Sequence, residues 1–206
     1  MSIKQFSSND LTIEKQDLVY DGFFKLYKIQ FRHKLFAGGE SGTVTRELLY
    51  KGAASAVIAY DPQRDQVILV EQVRIGAYVA NSNKSPWLFE LIAGMVEEKE
   101  KPQEVALREA QEEAGITIQE IIPAVSVWDS PGGVFERIHL FAGKVDASQA
   151  GGLHGLAEEH EDIKVHVVSR EQAYQWVENG QIDNSIAVIG LQWLQLNYQR
   201  LKQLWH

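Results

Sequence analysis

Two apolar runs, residues 53–60 and 66–73, constrain this fold more than any other stretch, because only Asp61-Pro62-Gln63-Arg64-Asp65 separates them. Proline and aspartate suit a tight turn, so the pair reads as a hairpin inside a central sheet. Before it, Leu18-Val19-Tyr20 and Leu26-Tyr27-Lys28-Ile29-Gln30-Phe31 read as strands, interrupted by Asp21-Gly22 and later by Gly38-Gly39 and Gly42. Such a piece is too small to bury a core alone and must lean on the rest of the chain or on a second subunit. The expected organisation is therefore a small N-terminal antiparallel sheet domain over residues 1–50, serving dimerisation, and a main domain over 51–206.

Further along, residues 87–93 read as one strand, with shorter strands at 124–128, 138–141 and 164–168. Helices are expected at 102–114, with proline in the first turn and Gly115 past the end, and from Ser169-Arg170-Glu171-Gln172 to Asn179-Gly180. A last helix, capped by Asp183 or Asn184, presents Ile186, Ile189, Trp193, Leu194, Leu201 and Leu204 as its apolar face. Strands and helices mixed in this order favour an α/β (α+β) arrangement of two or three layers.

Composition removes several chemistries. The chain has no cysteine, which excludes disulfides, thiolate metal sites and thiol nucleophiles, so any metal must be held by oxygen or histidine. Its 20 Lys and Arg against 28 Asp and Glu give a formal charge of −8, which opposes a nucleic-acid backbone as partner. No apolar run approaches the roughly 20 residues that span a bilayer, and the start MSIKQFSSNDL lacks the apolar centre of a signal peptide, so a cytoplasmic protein without membrane partners is expected.

The chemistry concentrates on the helix at 102–114. Glu109, Glu112 and Glu113 are expected on one stripe, with Ala106, Leu107, Ala110 and Ala114 on the opposite, core-facing one. Glu109 and Glu113 lie four residues apart, about 6 Å along the axis, near enough to converge on a shared cation. By composition alone, the acidic stripe reads first as the solvated face of a surface helix.

Context decides between the two. Gly94, five residues, Glu100, seven residues, then Arg108-Glu109-Ala110-Gln111-Glu112-Glu113-Ala114-Gly115-Ile116 resembles the Nudix box at every fixed position. Seven fixed residues at about 5 to 10 per cent each make a chance match rarer than roughly one in 10⁵. The resemblance implies the Nudix fold, a mixed sheet between helices, with this loop-helix-loop as a metal platform that hydrolyses nucleoside diphosphates linked to another group. Within the box, Gly94 permits the turn that exposes the Ala93 carbonyl, Gly115 ends the helix, and Arg108 and Glu100 are structural, Arg108 orienting the glutamates through its forked donors.

Ser130-Pro131-Gly132-Gly133, with Pro131 fifteen residues past the box, resembles the marker of the ADP-ribose-hydrolysing branch of the family, as do Phe23-Phe24, residues 31–36, Arg46-Glu47, Glu71-Gln72-Val73-Arg74 and the tail from 165 to 196. The resemblance implies hydrolysis of ADP-ribose to AMP and ribose 5-phosphate by a homodimer. It places two or three Mg²⁺ ions, with Mn²⁺ able to substitute, on the Ala93 carbonyl, Glu109, Glu113 and Glu161, with Glu112 as an additional ligand. It makes Glu159, in the acidic loop Leu156-Ala157-Glu158-Glu159-His160-Glu161-Asp162, the general base. It gives Arg46, Glu47, Lys51, Arg74, Ser130, Pro131, Gly132 and Glu136 as substrate contacts, with Phe23 and Phe24 reaching from the second subunit. Two departures stand out: Lys51 occupies a position usually held by arginine, which lysine cannot match in bidentate contacts, and the loop at 81–85 is about two residues longer. Another nucleotide sugar such as GDP-mannose is the alternative substrate, and a non-hydrolytic ADP-ribose sensor the second alternative. His33, His139, His154 and His166 fall in no ligand spacing and read as structural or surface groups.

Overall fold

The computed structural model describes residues 5–80 and 83–205. Two units emerge: the chain up to Gly52 together with Trp128–Arg137, and Ala53–Val127 together with Ile138 onward.

In the first unit, β1 (Leu11–Asp21), β2 (Lys25–His33) and the start of β3 (Val44–Asp61) form antiparallel ladders, with Ile13 opposite Phe31 and Ile29 opposite Arg46. β1 shifts register at Ile13/Lys15 and at Leu18/Tyr20. Such bulges bend a strand and increase its twist. β1 is eleven residues long, well beyond the expected strand residues 18–20, because polar residues such as Glu14, Lys15, Gln16 and Asp17 hide its alternation.

In the second unit β3 continues and turns into β4 (Gln66–Val73), as the apolar pattern requires. Asp61 Oδ1 accepts from the backbone of Gln63 and Arg64, each at 3.0 Å, and its other oxygen accepts from Ala147 N at 3.0 Å. Burial works against the Asp61 charge, yet the bonds from Ala147 and Arg64 hold it below the ordinary carboxylate range. Asp65 takes the left-handed conformation that closes the turn. Along β4, Val67, Ile68, Leu69 and Val70 are all fully buried, and alternate side chains enter two different cores. Val67 and Leu69 pack in a cluster with Leu191, Leu194 and Leu201 of α4 (Ser185–Leu204) and Ala173 of α3 (Arg170–Glu178). Ile68 and Val70 pack with Ala106, Ala110 and Ala114 of α2 (Pro102–Ala114). The sheet therefore lies between helices, the layered α+β arrangement expected from the sequence. Gly190 lets α4 approach closely, since a Cβ there would overlap Leu91 and crowd Leu140 and Ile58.

The expected single strand at 87–93 is two strands, β5 (Trp87–Glu90) and β6 (Ile92–Val96), broken at the buried Leu91. The cause is a change of partner: β5 pairs with β4, with Glu90 opposite Val70, whereas β6 pairs with β3, with Ala93 opposite Ala56. A short helix, α1 (Ile75–Val79), follows β4, and β7 (Glu120–Trp128) and β8 (Val134–Lys144) pair with each other. β9 (Gly152–His154) adds to β10 (Ile163–Ser169), which pairs with β4. Every ladder whose register is described is antiparallel. Asn184 caps α4 by accepting from Ala187 N, which settles the choice between the two cap residues. Among the described residues, no helix is long and apolar enough to cross a membrane.

Candidate active site

Glu113 departs from the stripe expected of it. At 100° per residue Glu113 lies seven steps from Ala106 and so only about 20° from it around the axis, within the core-facing stripe rather than opposite it. Glu113 is accordingly 4% exposed, while Leu107, expected in the core, is 39% exposed and Val105 is buried instead. The buried carboxylate is held by the adjacent sheet: its Oε2 accepts from Ala93 N on β6 at 3.0 Å, and Oε1 from Gln72 Nε2 on β4 at 3.4 Å. Burial pushes its pKa up to about 8, with Glu109 and Glu161 adding repulsion against the hydrogen bond from Ala93 and the charge of Arg74.

Glu109 sits against Gly94, so closely that a Cβ on that glycine would overlap its carboxylate. Any side chain at 94 would therefore displace Glu109 from this seat. Burial also raises the Glu109 pKa, offset by Arg108 and reinforced by Glu112 and Glu161. Arg108 pairs with three carboxylates: Nη1 lies 2.8 Å from both Glu109 Oε1 and Glu112 Oε2, and Nε 3.8 Å from Glu100 Oε1. Glu100 in turn accepts from Glu97 N at 3.0 Å, which shapes the loop into α2. Gly115 closes the helix in the left-handed conformation, φ 62°.

Glu161 belongs to the loop before β10, where its Oε2 accepts from Leu156 N at 3.2 Å. Its charge is felt by Glu109, Glu113 and Arg74, so the three carboxylates form one electrostatic group. Arg74 is clamped on Glu90: Nε reaches both carboxylate oxygens at 3.1 and 3.0 Å, and Nη2 reaches Oε2 at 2.7 Å. Glu90 and Gln72 are participants that the sequence reading missed. Gln72 offered a signal, as a polar residue inside the apolar run of β4; Glu90 becomes visible only through the β4–β5 pairing. Glu159 ends a 3₁₀ turn, Ala157–Glu159, and its side chain lies outside the described residues, as do Asn81 and Ser82 of the lengthened loop.

The remaining candidates fall in the first unit. Lys51 Nζ bridges the two oxygens of Glu136 at 2.6 and 2.7 Å and lies 5.6 Å from the Phe24 ring centroid. Phe23 packs edge-on to Phe24 at 4.8 Å yet is 85% exposed. The turn at Ser130-Pro131-Gly132-Gly133 folds back with Gly133 N and Val134 N donating to Ser130 O, and Gly133 O accepts from Leu49 N on β3 at 2.9 Å. Tyr50 and Phe135 stack nearly parallel with centroids 4.7 Å apart. Arg46 Nη1 donates to Thr45 O, and Glu47 lies beside it on β3, opposite Lys28 of β2.

No three His, Asp or Glu side chains are gathered to metal-ligating distance among the described residues. The carboxylates Glu109, Glu113 and Glu161 with the Ala93 carbonyl nevertheless fit a hard divalent cation: the set is made of oxygens only, and burial and mutual repulsion raise the pKa of Glu113 in a way that a cation would relieve.

The NUDIX domain matches the chain over residues 50–187. The chain belongs to the Nudix family. It is 69% identical over 204 residues to the ADP-ribose pyrophosphatase of Haemophilus influenzae, covering 98% of this chain and 94% of that protein. Identity to the ADP-ribose pyrophosphatase of Escherichia coli is 52% over 200 residues, covering 97% and 95%. The GDP-mannose pyrophosphatase of E. coli is 30% identical over 191 residues, covering 93% and 98%. A crystal structure of an ADP compounds hydrolase superposes with a TM-score of 0.71 at 15% identity, over 96% of this chain and 98% of the other, a likeness of fold. The matched span contains β6, α2 and the loop that carries Glu161.

Proposed function

We propose that this Nudix chain hydrolyses the pyrophosphate of ADP-ribose, water adding across one P–O–P bridge to release AMP and ribose 5-phosphate. The observation that carries the reading is the 69% identity to an ADP-ribose pyrophosphatase over 98% of the chain, a span that extends far beyond the box. Nudix hydrolases generally use a divalent metal. Here Glu109, Glu113, Glu161 and the Ala93 carbonyl would hold Mg²⁺, two or three ions in all, with Glu112 as an additional ligand and Mn²⁺ able to substitute. When bound, such ions screen the phosphate charges and lower the pKa of the attacking water.

The protein's own groups do the rest. Arg108 keeps Glu109 and Glu112 apart from one another's charge by pairing with both. Glu159 serves as general base from the acidic loop. Arg74, held flat by Glu90, presents its remaining guanidinium edge to phosphate or ribose. Arg46, Glu47, Lys51, Glu136 and the Ser130-Pro131-Gly132 turn contact ADP-ribose, Lys51 acting through its charge and its hold on Glu136.

The test is a substrate panel: with Mg²⁺, kcat/KM for ADP-ribose is expected to exceed that for GDP-mannose by at least about 10-fold, the low end of what even a single methylene in an apolar pocket discriminates. A preference for GDP-mannose overturns the substrate, and turnover of neither overturns the activity.

The working form we propose is a two-fold homodimer in which Phe23 and Phe24 reach the partner's substrate. Ile13, Leu18, Val19, Tyr20 and Phe23 are exposed on or beside β1, an apolar surface in need of cover. Light scattering at micromolar concentration should give twice the mass of the chain; a fully active monomer would rule the dimer out.

A further inference from the structure

The loop that carries Glu161 is fastened to α2 by a side chain that no metal or substrate role claims. His154 ends β9, opposite Ile163 on β10. Its Nε2 lies 2.9 Å from Gly151 O, and because a carbonyl only accepts, Nε2 carries the proton. That bond folds the imidazole back over the preceding turn and sets its edge on the end of α2. A Cβ built on Gly115 would lie 2.5 Å from His154 Cε1 and 3.1 Å from Nδ1. The ring thus occupies the space that glycine leaves at the helix cap.

The contact continues into the loop. Gly155 N points to Glu112 O at 3.4 Å, a second, looser tie to the last turn of α2. Gly155 adopts φ 101°, and a Cβ there would lie 2.7 Å from Glu161 Cβ, so the loop closes on itself at this point. Leu156 and Glu161 complete the closure: Glu161 N donates to Leu156 O, and Leu156 N donates to the Glu161 carboxylate, both at 3.2 Å. From the helix cap to the carboxylate the order is Gly115, His154, Gly155, Glu161, each touching the next.

We propose that His154 is a positioning residue that seats the 155–162 loop on the C-terminal end of α2 and thereby sets Glu161 against Glu109 and Glu113. The proposal rests on the metal-binding reading of those carboxylates given above. Partners that orient metal ligands are worth about 10- to 100-fold in metal affinity. Phenylalanine would fill the seat on Gly115 without the bond to Gly151, whereas glutamine would keep a donor.

Mn²⁺ binding to the substrate-free protein, followed by electron paramagnetic resonance, tests this. His154→Ala is expected to weaken Mn²⁺ binding about 10-fold or more, with unchanged circular dichroism, and His154→Gln to recover a large part of it. In turnover, the metal concentration for half activity should rise while KM for ADP-ribose at saturating metal stays the same. His154→Ala binding Mn²⁺ as the wild type does would overturn the proposal. Should that variant fail to fold, His154→Phe binding more weakly than His154→Gln supports it, and equal binding overturns it. Glu113→Gln is the control that separates the two readings. If it loses Mn²⁺ while His154→Ala does not, only the positioning role fails; if neither loses Mn²⁺, the metal platform itself is wrong.

Discussion

Glu113→Gln is expected to cost more than about 10²-fold in turnover at saturating divalent metal, since even an outer partner of a metal ligand is worth 10- to 100-fold. The same change should make the metal-free protein more stable at alkaline pH. The sign follows from the raised pKa. Glu113 starts from an ordinary 4.5 and is pushed up to about 8 in the fold, so the folded protein holds a proton there that the unfolded chain gives up. The stability associated with that proton is fully present below pH 4.5 and is lost as pH rises through 8. Glutamine cannot ionise and has no such slope. Thermal melts in chelator should coincide for the two proteins near pH 5 and separate near pH 9, the variant melting higher. Mg²⁺ added at pH 9 should raise the wild-type midpoint and leave the variant unmoved. Parallel pH profiles would show that Glu113 is not the buried charge that metal relieves.

Glu159→Gln carries the second large effect. Removal of a general base costs about 10²- to 10⁴-fold in rate, and the loss should persist at every Mg²⁺ concentration with ADP-ribose affinity little changed. Glu161→Gln should instead raise the metal requirement and recover part of its activity when more Mg²⁺ is supplied. Metal titrations of kcat for the two variants separate these patterns. Rescue of Glu159→Gln by metal, with none for Glu161→Gln, would exchange the two roles.

The parts of this molecule that were legible from sequence are those fixed by local rules. The β3–β4 hairpin follows from apolar runs around a proline turn, and α2 from its proline start, glycine stop and box spacing. What escaped depends on partners distant in the chain. The break at Leu91 arises because β5 and β6 pair with different strands, and no feature of residues 87–96 announces it. Glu113, expected on the same stripe as Glu109 and Glu112, has an angle on the helix that puts it among the alanines; a carboxylate on a core stripe is itself the signal. His154 looked like a lone surface histidine because its meaning lies in a glycine thirty-nine positions away.

The make-up of the first unit bears on how the chain comes off the ribosome. Three of its ties join β3 to a late segment: Leu49 N to Gly133 O, Tyr50 to Phe135 and Lys51 to Glu136. At about 5–20 residues per second, the stretch between Gly52 and Trp128 takes roughly 4 to 15 s to synthesise. Throughout that interval the N-terminal strands exist without the segment that completes them. Leu49 offers an unsatisfied N–H, and Tyr50 an uncovered ring, to whatever is near, a neighbouring nascent copy included. The segment that brings the Ser130-Pro131-Gly132 turn also ends this exposure, so the emergence of that turn sets the earliest moment at which the unit can finish folding.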